Sequence, residues 1–281
     1  MINSEAINIC VKAAHNMRKN IIHLAHQAGN NGSHIGPSLS IVDIMAVLYL
    51  NVMKLKPGTT EWENRDRFVL SKGHGALGVY VAMHEAGVIS KEDLFSYEVN
   101  GSKFPGQPSK CLAKGIEYSG GSLGMGLSYA AGITLAAKRA GSDFHTYVLM
   151  GDGELNEGSV WESAMFARHQ ELSNLTVVVD RNSMQSDGTC GEILDYDIES
   201  VWHGFGWEVN TCNGHDAVQL IDTFQKKTTD RPRVIIAKTT KGYGVSFMEN
   251  SKDWHHNRLP DDLYQSAIAE LELKEVVVHG I

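Results

Sequence analysis

The sequence predicts an α/β domain with a mostly parallel central sheet and helices on both faces. Three observations carry this. First, Arg67-Phe68-Val69-Leu70-Ser71, Tyr147–Met150, Thr176–Val179 and Val234–Ala237 are short runs in which the apolar residues are continuous rather than alternating. That is the pattern of strands buried on both faces. Second, these runs are interleaved with segments of helical character, so successive strands run parallel. Third, each run breaks into a polar or glycine-rich loop at its C-terminal end, the edge where open α/β sheets bind ligands.

Taken in order, residues 4–28 read as a polar amphipathic helix whose His15, His23 and His26 are expected at the surface. Gly29-Asn30-Asn31-Gly32-Ser33-His34-Ile35-Gly36-Pro37 is rich in helix and strand breakers and reads as a loop. Ser38–Leu50 is too apolar for a surface helix and is expected to be buried. The first strand then breaks into Lys72-Gly73-His74-Gly75. Ser119-Gly120-Gly121-Ser122 precedes a small-residue helix over 123–140. The second strand leads into Gly151-Asp152-Gly153, followed by a helix over 158–171, and the third into Asp180-Arg181-Asn182. The fourth leads into Lys238-Thr239-Thr240-Lys241-Gly242-Tyr243-Gly244. The expected organisation is one domain over 1–281, with its α/β body over about 10–250 and a C-terminal tail over about 260–281. The last residues, Lys274–Ile281, suit a small edge strand or a disordered end.

Composition excludes several classes. The chain has 25 Lys and Arg against 33 Asp and Glu, a formal net charge of −8, so a nucleic-acid surface is not expected. No apolar run approaches the roughly 18 residues a membrane span needs. The N-terminus lacks the basic and apolar regions of a signal peptide. Cys10, Cys111, Cys190 and Cys212 show neither CxxC nor zinc-ligand spacing and are expected as free thiols in the cytoplasm. The 28 glycines suit loops that approach a ligand closely. No GxGxxG follows the first strand with an acid the expected distance downstream, which sets a dinucleotide-binding oxidoreductase aside.

Gly151-Asp152-Gly153 alone is a weak signal, often no more than a turn. It gains weight from Asn182, thirty residues on and also at a strand exit. A βαβ unit of that length makes the two strands parallel neighbours, so Asp152 and Asn182 lie side by side. A carboxylate, an amide oxygen and a backbone carbonyl make half an octahedral shell, which Mg²⁺ completes with phosphate oxygens and water. The glycines let a diphosphate approach, and the helix near Gly158 is expected to point its N–H groups the same way.

Gly151-Asp152-Gly153 followed by Asp180-Arg181-Asn182 resembles the thiamine-diphosphate motif. Ser33-His34-Ile35-Gly36, Leu70-Ser71-Lys72-Gly73-His74-Gly75, Gly121-Ser122-Leu123-Gly124, Lys241-Gly242-Tyr243-Gly244 and Trp254-His255 resemble the matching segments of the transketolase family, in the same order and over nearly the whole chain. The resemblance implies the thiamine-diphosphate-binding fold and transfer of a two-carbon glycolaldehyde unit from a ketose to an aldose. The implied cofactors are thiamine diphosphate and Mg²⁺ or another divalent cation. Asp152, Asn182 and the Met184 carbonyl match the metal ligands. His74, Gly121, Ser122, Leu123, Gly153, Asn182 and His255 match cofactor contacts, and His34, His74 and His255 match catalytic histidines. His34, His255 and Gln107 match positions that face the sugar, Gln107 standing where the family pattern has a Gly-His-Pro histidine.

Glu157 and Glu162 are five apart in sequence, which turns them to well-separated sides of a helix, so their spacing does not make a catalytic pair. The resemblance instead matches them to glutamates at a subunit interface. Only the diphosphate-binding domain of the family is matched; the pyrimidine-binding domain, with the glutamate that activates the cofactor, is not. The chain therefore resembles the N-terminal subunit of a split transketolase, expected to pair with a C-terminal subunit carrying the pyrimidine domain, two copies of each. Alternatives are another thiamine-diphosphate enzyme subunit, similar to a 2-oxoacid dehydrogenase alpha chain or a deoxyxylulose-phosphate synthase, and a non-catalytic cofactor-binding subunit.

Overall fold

The structure is a computed structural model and describes residues 3–227 and 229–278. Five strands form a single sheet: β1 (Arg67–Leu70), β2 (Thr146–Gly151), β3 (Leu175–Arg181), β4 (Glu208–Asn213) and β5 (Arg233–Lys238). Every neighbouring pair is parallel, in the order β1-β2-β3-β5-β4. The helices are α1 (Ser4–Gln27), α2 (Ile35–Leu39), α3 (Val42–Val47), α4 (Ala76–Glu85), α5 (Lys91–Phe95) and α6 (Gly126–Ala140) in the first half. The second half adds α7 (Gly158–His169), α8 (Cys190–Ile193), α9 (Ile198–Gly204), α10 (Ala217–Gln225) and α11 (Asp261–Val278).

The continuous apolar runs are explained by two cores, one on each sheet face. Successive strand residues point to opposite faces. Leu70, Leu149, Val178 and Ile235 join Met17, Ile21, Ile44 and Tyr80 on one side. Val69, Val148, Val177 and Val234 join Leu127, Val160, Ala164 and Trp202 on the other. The predicted layers, with helices on both faces, are those observed.

Several local expectations are revised. Helix α1 is capped by Asn3, whose side chain accepts a hydrogen bond from the Glu5 N–H at 2.9 Å. It is no surface helix: α3, α4 and α11 pack on it, burying His15 and Arg18 as well as Met17 and Ile21, so that of the three histidines expected at the surface His23 is exposed, His26 half-buried and His15 buried. The apolar segment 38–50 is buried but not one helix. It is α2, then α3, then a wider turn over Leu48–Val52, with the break falling at Ser40-Ile41. The tail is neither an edge strand nor disordered as far as Val278. It is α11, with Ala267 and Leu271 buried against the body; His279-Gly280-Ile281 lie outside the described residues. All four cysteines are free thiols, and among the described residues no helix is long and apolar enough to cross a membrane.

Candidate functional site

The C-terminal ends of β1, β2, β3 and β5 converge on a cavity of about 150 Å³. Of the residues singled out from sequence, His74, Leu123, Asp152, Gly153, Asn182, Met184 and His255 line it. Register explains the pairing of Asp152 with Asn182: Gly151 stands opposite Asp180, and the Asp152 N–H donates to the Asp180 carbonyl at 3.2 Å. Asp152 then accepts the Gly153 N–H at 2.9 Å on Oδ1 and the Ser183 N–H at 2.6 Å on Oδ2. Ser183 has a positive φ, an uncommon left-handed turn for a side-chain-bearing residue. It brings the Met184 N–H back to Asn182 Oδ1 at 3.0 Å.

Behind these residues lies Asp180, fully buried. It accepts the Lys72 ammonium at 2.5 Å, the Ser40 hydroxyl at 2.7 Å and the Asn182 amide N–H at 2.8 Å, all on Oδ2, and the Thr239 hydroxyl on Oδ1. The bond from Asn182 Nδ2 fixes which way that amide faces. Burial alone would raise the Asp180 pKa, but the Lys72 ammonium holds it below the usual carboxylate range. Asp152 lacks such a partner: burial, and then the nearby Asp180 carboxylate, push it up to about 6.

The donor set suits a hard divalent cation: one carboxylate under electrostatic pressure, one amide oxygen and a loop carbonyl. Among the described residues no group of three or more His, Cys, Asp or Glu side chains is placed to hold a metal, so a cation here depends on Asn182 and main-chain oxygen as well as Asp152. Gly153 fits the same close packing: a Cβ there would lie 2.7 Å from Gln185 Cγ.

A histidine cluster forms one wall. The ring centroids of His34 and His74 are 5.9 Å apart, His34 and His255 5.5 Å, and His74 and His255 5.2 Å. Burial, together with His256, His255, Lys72 and Lys241, lowers the His34 pKa to about 3. Burial and Lys241 lower that of His255 to about 4, and burial and Lys72 hold His74 well below its ordinary value. The lowering favours the neutral imidazole in all three, with one ring nitrogen to donate and one to accept a hydrogen bond. Lys241, lowered to about 8 by burial and by Lys72, contacts His255 Nδ1 at 2.9 Å and donates to the Gln185 carbonyl at 3.0 Å. An ammonium there donates, so His255 carries its own proton on Nε2.

The remaining candidates are placed as follows. His34 stands beside the cavity through its contacts to His74 and His255. Gly121 and Ser122 are outside the lining, but Gly121 stands over Gly73, where a Cβ would lie 2.8 Å from the Gly121 nitrogen. Gln107 Oε1 lies against the same Gly73, so an exposed loop residue reaches the segment carrying His74. Glu157 and Glu162 are exposed and apart from the cavity. The expectation that α7 presents its N-terminus is corrected: a tight turn over Gly153–Asn156 intervenes, and the lining stops at Glu154, short of Gly158.

Sequence reasoning missed four residues. Lys72 and Lys241 lie within quoted loops, but nothing in the pattern marks a lysine as buried. Asp180 ends an apolar run, and a charge at that position was the available signal. Buried Glu154 accepts the Ser71 hydroxyl, the Gly124 N–H at 2.8 Å and the Gly151 N–H at 3.2 Å, tying three loops together.

A parallel α/β domain thus gathers Asp152, Asn182 and three histidines at the C-terminal edge of its sheet, where open α/β sheets bind ligands. The sequence matches the family model described as transketolase, thiamine diphosphate binding domain, over residues 11–274, and the chain belongs to that family. An apulose-4-phosphate transketolase subunit from Actinobacillus succinogenes is 42% identical over 86% of this chain and 88% of that protein. The 6-deoxy-6-sulfo-D-fructose transketolase subunit SqwG of a Clostridium species is 37% identical over 85% of this chain and 88% of its own length. The transketolase structure from Campylobacter jejuni superposes with a TM-score of 0.84 at 29% identity, covering 96% of this chain and 43% of that one. This chain thus spans less than half of that solved protein.

Proposed function

We propose that this chain is the thiamine-diphosphate-binding subunit of a two-chain transketolase, moving a two-carbon glycolaldehyde unit from a ketose to an aldose. The observation that carries this is the convergence of Asp152, Asn182 and Met184 with His34, His74 and His255 around one cavity. Asp152, Asn182 and the Met184 carbonyl would hold Mg²⁺, and the Lys72 and Lys241 ammonium groups supply positive charge for the diphosphate. The bound cofactor supplies the nucleophilic carbon and electron sink for breaking a ketose carbon–carbon bond. The neutral imidazoles of His34, His74 and His255 orient sugar hydroxyls and hold or pass their protons, with the His255 tautomer set by Lys241. The intact cation and histidine sites favour a catalytic subunit over a purely regulatory one, and the four free thiols suit the cytoplasm.

The pyrimidine-binding domain would come from a second chain, with two copies of each in the assembly. Relatives named as subunits support this, as does the surface around Glu162. Glu162, Met165 and Phe166 share one face of α7 at i, i+3 and i+4. Met165 and Phe166 are both exposed there, although apolar. Glu157 stands at the N-terminus of the same helix, beside Gly124. We assign this face, with both glutamates, to the interface between subunits.

Metal binding tests the cofactor assignment. Asp152 must be ionised to bind a cation, and its pKa is about 6. Below pH 6 protons compete, so Mg²⁺ affinity in the presence of thiamine diphosphate is expected to fall about tenfold per pH unit, and to level off above it. Calorimetry between pH 5 and 8 measures this; an affinity flat across that range removes Asp152 from the site.

Gln107 is assigned to substrate choice. Its amide donates and accepts hydrogen bonds but takes up no proton near pH 7. In the assembled enzyme, Gln107→His is expected to shift the ratio of kcat/KM on xylulose 5-phosphate to that on the best donor by more than about threefold, or about 0.7 kcal/mol. A smaller shift assigns position 107 no role in specificity.

A further inference from the structure

β4 ends at the same sheet edge as β5, yet among the described residues none of its C-terminal loop lines the cavity. That loop, Asn213-Gly214-His215, folds onto the loop after β5 instead. Register places Asn213 opposite Lys238, and the Gly214 N–H donates to the Lys238 carbonyl at 2.7 Å. A Cβ on Gly214 would lie 2.4 Å from Thr239 Cγ2, so this approach needs glycine. The Asn213 side chain accepts the His215 N–H at 2.9 Å and completes the turn.

The turn delivers His215, whose side chain is 8% exposed. Its Nδ1 lies 2.8 Å from Asp43 Oδ2, and Arg18 donates to the same oxygen. Burial alone would raise the Asp43 pKa, but Arg18, and then His215, hold it below the usual carboxylate range. A carboxylate only accepts, so His215 carries its proton on Nδ1. Nε2 is then the bare nitrogen, and it accepts the Thr240 N–H at 2.8 Å. The Tyr243 ring stacks on the imidazole, with centroids 3.6 Å apart and planes 16° from parallel, and the Arg18 guanidinium stands over Tyr243. Two hydrogen bonds and a stack thus fix the His215 ring, and the ring in turn holds the main chain at Thr240.

Lys241 is the next residue. Its side chain is buried, and its Nζ spans the Gln185 carbonyl at 3.0 Å and His255 Nδ1 at 2.9 Å. Both contacts depend on where the main chain places the lysine. We infer that His215 is a positioning residue: by bridging Asp43 and the Thr240 N–H, it sets where Lys241 stands, and through Lys241 the tautomer of His255. The consequence for turnover rests on the transketolase reading above; the consequence for the His255 tautomer does not.

Three variants separate the two hydrogen bonds. His215→Gln puts an amide oxygen near the place of Nε2 and keeps an acceptor for Thr240. His215→Asn reaches only as far as Nδ1 and keeps the donor to Asp43, and His215→Phe keeps the stack on Tyr243 alone. In the full chain with isotopically labelled histidine nitrogens, NMR reads the His255 tautomer, its signals assigned by their loss in His255→Gln. Wild type and His215→Gln are expected to show the Nε2–H form, and His215→Asn and His215→Phe a mixture of both tautomers. In the assembled two-chain enzyme at saturating thiamine diphosphate and Mg²⁺, kcat is expected to stay within about twofold of wild type in His215→Gln and to fall about tenfold or more in the other two, with KM for the donor changed less than kcat. A ring that served only to hold the fold would lower stability and turnover in all three variants alike and leave the His255 signals unchanged wherever the chain folds; either result overturns the inference. Circular dichroism checks folding, and the Gln and Asn variants decide the matter if the Phe variant does not fold. If the wild-type enzyme transfers no two-carbon unit, the transketolase reading falls, and the tautomer measurement still decides the role of His215.

Discussion

Asp152→Ala is expected to weaken binding of thiamine diphosphate with Mg²⁺ by about a hundredfold or more while the chain remains folded. Among the described residues Asp152 is the carboxylate left for the proposed cation, because the neighbouring Asp180 is consumed by Lys72, Ser40, Thr239 and Asn182 and Glu154 by Ser71, Gly124 and Gly151. The substitution leaves the Gly153 and Ser183 N–H groups without their acceptor. That costs about 1–3 kcal/mol. It also removes a carboxylate that burial and Asp180 have already pushed up to about 6, which offsets part of that cost. Calorimetry on the assembled complex, with circular dichroism as the control for folding, checks both halves. Unchanged affinity in a folded variant means that the cation is held elsewhere.

Lys72→Met is expected to cost about 3–5 kcal/mol of stability, because it strands a buried carboxylate. The Lys72 and Asp180 side chains are 1% and 0% exposed, and their 2.5 Å contact joins the end of β1 to the end of β3 beneath the cavity. The paired variant Lys72→Met with Asp180→Asn removes both charges and is expected to recover most of the stability. It does not recover cofactor affinity, since the ammonium proposed to face the diphosphate is still missing. Chemical denaturation of the three proteins measures the first effect and calorimetry the second. A loss below about 1 kcal/mol in the single variant contradicts a buried, structurally coupled ion pair.

The parts legible in the sequence were those with strong local pattern. Four strands stood out because both faces are buried, which leaves continuous apolar runs such as Tyr147–Met150. β4 did not: as an edge strand, Glu-Val-Asn-Thr-Cys-Asn is polar and half-buried or exposed except at Cys212, and its place beside β5 is set by tertiary pairing. The same limit explains His15. The helix pattern of α1 suggested a surface position, but α11, more than two hundred residues away in sequence, packs over α1. At the site, the spacing of two neighbouring strand exits marks Asp152 and Asn182, whereas His34, His74 and His255 stand out through the resemblance of their loops to the transketolase family. Lys72, Lys241 and Asp180 were not, because burial of a charge depends on partners from separate loops. Register, which places Gly151 opposite Asp180, brings two distant motifs together at the proposed cation site.

Turnover measured on this chain alone, and again after mixing with a chain that carries a transketolase pyrimidine-binding domain, tests the two-chain assignment most directly. With thiamine diphosphate, Mg²⁺, a ketose phosphate donor and an aldose acceptor, the chain alone is expected to transfer no two-carbon unit, and the mixture to do so at a rate that saturates at equal amounts of the two chains. Full turnover by this chain, purified free of any partner, would contradict it.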